Sequence, residues 1–284
     1  MKTISIILLL SIGHFTLLAQ SGWVREKKGF FIQGSANHFS SDDYYNIDGN
    51  LQTSTSGTRF TTSTFKIYGE YGITDKITLL GNVPLVQVNS LSTTDNVIGI
   101  GNIRVGAKYQ LYKAVPISLA FEAEIPTGNG EQFAEANNVN ELGFRDRINL
   151  PTTDGELNFW TTLAMSKSNS TGNLYASIYS GLNIRTEGLS HQSKTGVEVG
   201  TFLFEKLWLI GKMSVQKTLA DNPEIVPFLY GEGTEFTNYG ITALYKFTEH
   251  FSITAEYADY SGFLIGQKNI YAGPTLGLGI AWEF

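Results

Sequence analysis

The sequence predicts an all-β chain, a closed antiparallel transmembrane β-barrel of about 12 strands with short turns at one rim and long loops at the other. Three observations carry this. First, the C-terminal stretch Gly273 to Phe284 sets Leu276, Leu278, Ile280, Trp282 and Phe284 at every second position, with Thr275, Gly277, Gly279, Ala281 and Glu283 between them. A period of two places these sets on opposite faces of one strand. Second, the same alternation recurs along the chain, and its connections alternate short and long. Third, the composition combines 30 Gly, 14 Tyr and 18 Phe with only 7 Pro and 16% charged residues. Glycine relieves crowding inside a closed sheet, and aromatics populate interfacial girdles. The mean hydropathy of −0.06 is no objection, because alternating strands average out.

At the N-terminus, Met1-Lys2 is a short basic start. Ile4 to Leu10 and Phe15 to Leu18 are apolar, broken by Ser11, Gly13 and His14. The run is shorter than the ~20 apolar residues of a spanning helix. It reads as a signal peptide over residues 1–20, cleaved near Ala19 or Gln20, with the barrel over 21–284. Zero cysteines exclude disulfides and thiolate chemistry, and a net charge of −6 without a basic stripe argues against nucleic acid.

The strands follow in order. Phe30 to Phe39 sets Phe30, Ile32 and Ala36 against Gln33, Ser35 and Asn37. After a polar loop from Ser40 to Gly57, Phe65, Ile67, Gly69 and Tyr71 oppose Thr64, Lys66, Tyr68 and Glu70. The turn at Ile73 to Lys76 leads into Ile77, Leu79, Gly81 and Val83. Beyond a loop at Ser90 to Asn96, Ile103, Val105, Ala107, Tyr109 and Leu111 oppose Arg104, Gly106, Lys108 and Gln110. Past Lys113 to Pro116, Ile117, Leu119, Phe121, Ala123 and Ile125 oppose Ser118, Ala120, Glu122 and Glu124. After the irregular segment 126–155, Leu157, Phe159, Leu163 and Met165 mark the sixth strand. Leu174, Ala176, Ile178, Leu182 and Ile184 mark the seventh. Val197, Val199 and Leu203 mark the eighth, and Leu207, Leu209, Gly211, Met213 and Val215 the ninth. Ile241, Ala243, Tyr245 and Phe247 mark the tenth, and Phe251, Ile253, Ala255 and Tyr257 the eleventh. The C-terminal stretch is the twelfth.

Tight turns at Thr74-Asp75, Ala114, Ser170, Glu205 and Glu249 alternate with long polar segments. Bacterial outer-membrane barrels show that asymmetry, with the short turns in the periplasm, and lipid demands closure because it offers the backbone no partner. The expected periplasmic girdle is Tyr71, Tyr109, Tyr112, Trp208, Tyr245, Phe247, Phe251, Trp282 and Phe284. These features place the chain in the outer membrane of a Gram-negative envelope. Its final strand, ending on Phe284, is similar to those that present barrels to their insertion machinery.

The other parity carries Lys66, Tyr68, Glu70, Arg104, Lys108, Glu122, Glu124, Arg185, Glu198, Lys212, Lys246 and Glu256, the candidate lumen-lining residues. One reading is a channel lining that attracts or filters a small solute. The other is a salt-bridged plug that stiffens a narrow barrel, since 12 strands lie between filled and open sizes.

Three motifs resemble the outer-membrane barrel family named for the meta-pathway of phenol degradation. They are Glu70-Tyr71-Gly72-Ile73-Thr74-Asp75-Lys76-Ile77-Thr78-Leu79 running to Val83-Pro84, Gly99-Ile100-Gly101-Asn102-Ile103-Arg104-Val105-Gly106-Ala107-Lys108-Tyr109, and Pro126-Thr127-Gly128. The resemblance implies a passive transporter for small, often aromatic or hydrophobic, compounds. Asn102 stands where an Asp is common in that family. Its glycine neighbours open no helix, so they ease the chain from loop to strand instead of cradling a phosphate.

Two rivals remain. His191-Gln192-Ser193 resembles the His-Gln-Ser run of outer-membrane phospholipase A, and parity with Val197 puts His191 and Ser193 on the lipid face. No Asn or Asp follows at the spacing a third member needs. The alternative is a structural or adhesive barrel that binds a partner through segment Gly128 to Asp154, for which inward folding as a constriction is the other option. Asp42, Asp43, Asp48 and Asn50 depart from the order of a calcium loop, and no cofactor or metal spacing occurs.

Overall fold

A computed structural model describes residues 20–53, 58–128, 130–220 and 232–284. The predicted signal peptide lies, apart from Gln20, outside the described residues. The strands are β1 (Phe30–Ser41), β2 (Asp43–Tyr45), β3 (Leu51–Thr53), β4 (Phe60–Thr74), β5 (Ile77–Leu91), β6 (Val97–Gly99), β7 (Ile103–Tyr112), β8 (Ile117–Ile125) and β9 (Phe133–Val139). They continue as β10 (Arg145–Asn149), β11 (Asn158–Ser168), β12 (Leu174–Arg185), β13 (Gln192–Leu203), β14 (Leu207–Thr218), β15 (Phe236–Lys246), β16 (Phe251–Ser261), β17 (Ile270–Ala272) and β18 (Thr275–Glu283).

Twelve of these close a barrel in the order β1, β4, β5, β7, β8, β11, β12, β13, β14, β15, β16, β18, every neighbour antiparallel. All twelve predicted strands are present. β18 pairs with β1 from Phe31↔Glu283 to Phe39↔Thr275. Phe30 and Phe284 exchange backbone hydrogen bonds of 2.8 and 2.9 Å at the seam. The remaining strands are short pieces at the loop rim: β2, β3 and β17 make a small sheet, and β9 with β10 a hairpin.

The period-two pattern sorts the two faces. Ile178, Leu182, Val199, Ile241, Leu276, Leu278 and Ile280 are exposed outward, forming an apolar belt that suits lipid, while Ser177, Thr242, Thr254 and Ala281 are buried inside. One connection departs from the long–short rhythm. The loop-rim link Thr186–His191 spans the short gap between β12 and β13.

Trp208 corrects the predicted girdle. It is 6% exposed and faces inward, stacked on Phe202 at 5.0 Å, because it follows the parity of Ile210 and not that of Leu209. It joins Trp23, Phe31, Tyr175, Ile210, Leu244 and Ala281 in a hydrophobic cluster inside the short-turn end.

Candidate functional site

The short-turn half of the interior holds the chain's own N-terminal segment. Residues 21–28 cross the inner wall as an extended strap, and successive barrel strands grip its backbone. Ser118 Oγ donates to Ser21 O at 2.8 Å, and Gly22 N donates to Ser166 Oγ at 2.8 Å. Lys108 Nζ donates to Trp23 O at 3.0 Å, and Arg25 N donates to Thr78 Oγ1 at 2.7 Å. Lys27 N donates to Asp75 Oδ1 at 3.0 Å. Glycine is required at Gly22 and Gly72, where an added Cβ would collide with the Pro116 and Glu26 carbonyl oxygens. The strap's side chains add Trp23, edge-on to Tyr175 at 5.5 Å, and Arg25, which donates to Glu70 at 2.7 Å.

The predicted interior residues fall into separate groups. Tyr68, Glu70 and Lys108 hold the strap, with Tyr68 donating to Glu70 at 2.6 Å. Arg104 pairs with Glu124 and lies over Trp160 at 5.2 Å. Glu122 packs against Gly106, and Glu198 accepts from the Tyr175 hydroxyl at 2.6 Å. Lys212 lies 3.9 Å from Glu256, and Lys246 3.7 Å from Glu283. Lys66 sits in the field of Glu256, Lys212 and Arg104. At the loop end Arg185 donates to Glu156 at 2.6 Å and lies 3.6 Å from Glu232. Burial raises the Glu156 carboxyl to about 7, against the opposing pull of Arg185.

Above this charged zone lie two adjoining cavities of about 500 and 440 Å³. The first is bordered by Lys66, Asn82, Asn89, Asn102, Glu124 and Thr152, the second by Phe39, Tyr260, Ile270 and Thr275. Both share Phe60 and Tyr271, whose rings stack at 4.2 Å and 12°. Segment 126–155 divides its roles: the β9–β10 hairpin is largely exposed, whereas Leu150 to Asp154 fold inward to border the first cavity. Asn102 donates to Glu124 at 3.1 Å and to Asp154 at 2.7 Å. An Asp there would set a third carboxylate against two, which explains the amide.

The wall beside the first cavity is interrupted. β5 pairs with β7 over Ile77–Asn82 and with β6 over Gln87–Asn89. Among the described residues, Val83 to Val86 have no ladder partner on that side. Pro84 lacks a donor. Gly99 and Gly101 do more here than ease a loop into a strand. A Cβ on Gly99 would meet Thr152, and one on Gly101 would meet Gln87 and Pro84 within 3.2 Å, so these glycines allow the chain to bend inward at the break.

His191 and Ser193 do not meet as a pair. His191 Nδ1 accepts from the Arg185 backbone N at 3.2 Å, and Ser193 Oγ donates to Lys217 O at 3.4 Å. Asp42 is clamped by Arg59 at 2.8 and 2.9 Å, a hydrogen-bonded pairing that lowers its pKa. The strap is not legible in the sequence because it has no periodicity. Its one trace is apolar residues of inward parity, Phe31, Leu80, Ile210 and Leu244, all near the short-turn rim.

No family model and no curated protein matches the chain. Solved structures do. An outer membrane channel from Pseudomonas putida F1 is 14% identical with a TM-score of 0.61, over 92% of this chain and 97% of that one. The translocator domain of the autotransporter NalP from Neisseria meningitidis is 11% identical with a TM-score of 0.50, over 93% and 91%. The deltaS2 mutant of the TodX monoaromatic hydrocarbon channel is 10% identical with a TM-score of 0.50, over 91% and 90%. The chain shares the fold of outer-membrane barrels.

Proposed function

We propose that this protein is an outer-membrane channel for passive uptake of small solutes, entered from the loop rim through the two cavities. The observation that carries this reading is the division of the interior: cavities with polar and charged walls toward the loop rim, and a strap held across the short-turn end. The strap is the element that must shift for a solute to pass. The motifs that resemble those of the phenol-pathway barrels, and the channels among the structural neighbours, support the same reading. The test is planar-bilayer conductance of the full mature chain beside a variant lacking residues 21–28. Conductance that rises without the strap fits the proposal. A correctly folded barrel that stays silent in both forms removes it in favour of a structural role.

A second reading concerns the route. The unpaired stretch Val83 to Val86 beside the first cavity supports a side exit into the membrane for apolar solutes. Filling the break with Gly101→Leu should slow vesicle uptake of toluene while leaving ion conductance intact. Equal slowing of both would assign one axial path to all solutes. The C-terminal strand ending on Phe284 is the element proposed to engage the insertion machinery, and deletion of Phe284 should lower the yield of assembled barrel.

A further inference from the structure

The second cavity, of about 440 Å³, differs from the first in charge: among the described residues no acidic or basic side chain borders it. Its upper part is a run of rings. Phe39 lies 6.1 Å from Phe60, and Phe60 stacks on Tyr271 at 4.2 Å, so β1, β4 and the loop-rim strand β17 join in one aromatic wall. Its lower part is made of neutral hydrogen-bonding groups. Phe39 is flanked by Thr62 on β4 and Thr275 on β18, and one step further in, Asn37 faces Thr64. From Phe60 to Thr64 is four residues of strand, about 13 Å. That is close to the length of two linked sugar rings.

The lower groups are not used up by the wall. Asn37 Oδ1 accepts from Ser35 Oγ at 3.3 Å. Among the described residues, neither its amide nitrogen nor the Thr64 and Thr275 hydroxyls find a partner in the protein. Gly277 leaves room for that amide, since a Cβ there would lie 2.5 Å from Asn37 Nδ2. Water can serve these groups, and a ligand that displaces it must bring hydroxyls of its own. A hydrocarbon brings none, and a charged solute meets no counter-charge here. A pyranose carries both halves of the complement, a C–H face for the rings and hydroxyls around its rim. We propose that this cavity binds a neutral saccharide of at least two units, one against Phe60 and Tyr271 and the next on Thr64, Asn37 and Thr275. The proposal names a solute class for the channel and rests on that reading for its physiological meaning, but the binding itself does not require an open pore.

The test is calorimetric titration of the full mature chain, in a detergent without a sugar headgroup, with cellobiose, glucose and benzyl alcohol. Cellobiose, whose equatorial hydroxyls leave both ring faces to C–H groups, should bind at least about tenfold more tightly than either of the others. Tyr271→Leu should lose about tenfold in affinity for cellobiose, and Thr64→Val about fivefold. Cellobiose that binds no more tightly than glucose, or benzyl alcohol that binds as tightly as cellobiose, overturns the proposal. Unchanged affinity in either variant overturns the placement. The comparison of the three solutes uses the unaltered protein, so it stands even where a variant fails to fold. Cellobiose binding without any bilayer conductance would sink the channel reading and leave this site in place; conductance without binding would do the reverse.

Discussion

Lys108 Nζ donates to the carbonyl oxygen of Trp23 at 3.0 Å while lying 3.8 Å from the Glu70 carboxylate. The lysine is wholly buried, so its charge is matched by Glu70 and one of its protons is spent on the strap's backbone. The same carboxylate receives Arg25 from the strap and Tyr68 from the wall. Wall and strap therefore share one polar knot, and loosening either side exposes the other.

Displacing the strap should open the barrel. Gly22→Val drives a side chain into the Pro116 carbonyl, which the strap cannot accommodate in place. Single-channel conductance is expected to rise above that of the unaltered protein, and trypsin should cut after Arg25 or Lys27 faster in detergent. Unchanged conductance together with unchanged cleavage would show that the strap's seat tolerates the added bulk.

The hairpin between β13 and β14 carries correctable strain. Phe204 and Glu205 both adopt left-handed backbone, φ 52° and 58°, within a turn closed by Lys206 N donating to Leu203 O at 3.1 Å. Asparagine followed by glycine suits that geometry. Phe204→Asn combined with Glu205→Gly should stabilise the barrel by about 1 kcal/mol, read as a higher urea midpoint. A lower midpoint would mean that the exposed Phe204 ring contributes more than the backbone relief.

The carboxyl of Glu156 gives stability a pH dependence of known sign. Its pKa is raised from the ordinary 4.5 to about 7, chiefly by burial. The folded form therefore holds the proton more tightly than the unfolded form. This contribution is full below about pH 4.5 and is lost as the pH rises through about 7. Glu156→Gln should flatten the fall in thermal midpoint between pH 5 and 8, with Arg185 still beside Glu232. An equally steep profile in the variant would assign the dependence to another group.

The outer belt should reject charge. Leu278 lies mid-strand on β18 and is 67% exposed on the outside. Leu278→Arg should cost about 2–4 kcal/mol in folding measured in lipid vesicles. A loss well under 1 kcal/mol would place that position outside the hydrocarbon.

What the sequence discloses follows from which face carries the pattern. Leu276 to Phe284, Leu174 to Ile184 and the other wall strands alternate because lipid constrains every outward position alike, so all twelve are legible. Trp208 is not, since an aromatic beside a tight turn serves equally in a girdle or beneath a plug, and only the presence of Trp23 decides between them. The cavities are hidden for another reason. They depend on where Phe60 meets Tyr271, residues far apart in the chain and joined by loops without period. The inward parity of Lys66, Arg104 and Glu124 is readable, but the pairing of Arg104 with Glu124 is not.

The strap is held mainly at peptide groups, through Ser21 O, Gly22 N, Trp23 O, Arg25 N and Lys27 N. Besides glycine at one crowded spot, such a hold makes its side-chain demands at Trp23 and Arg25. Related chains can therefore diverge at the other positions of this segment during evolution while retaining the same stopper, and its descendants would be traced through the clasping wall positions Thr78, Lys108, Ser118 and Ser166 more readily than through the letters of the stopper itself.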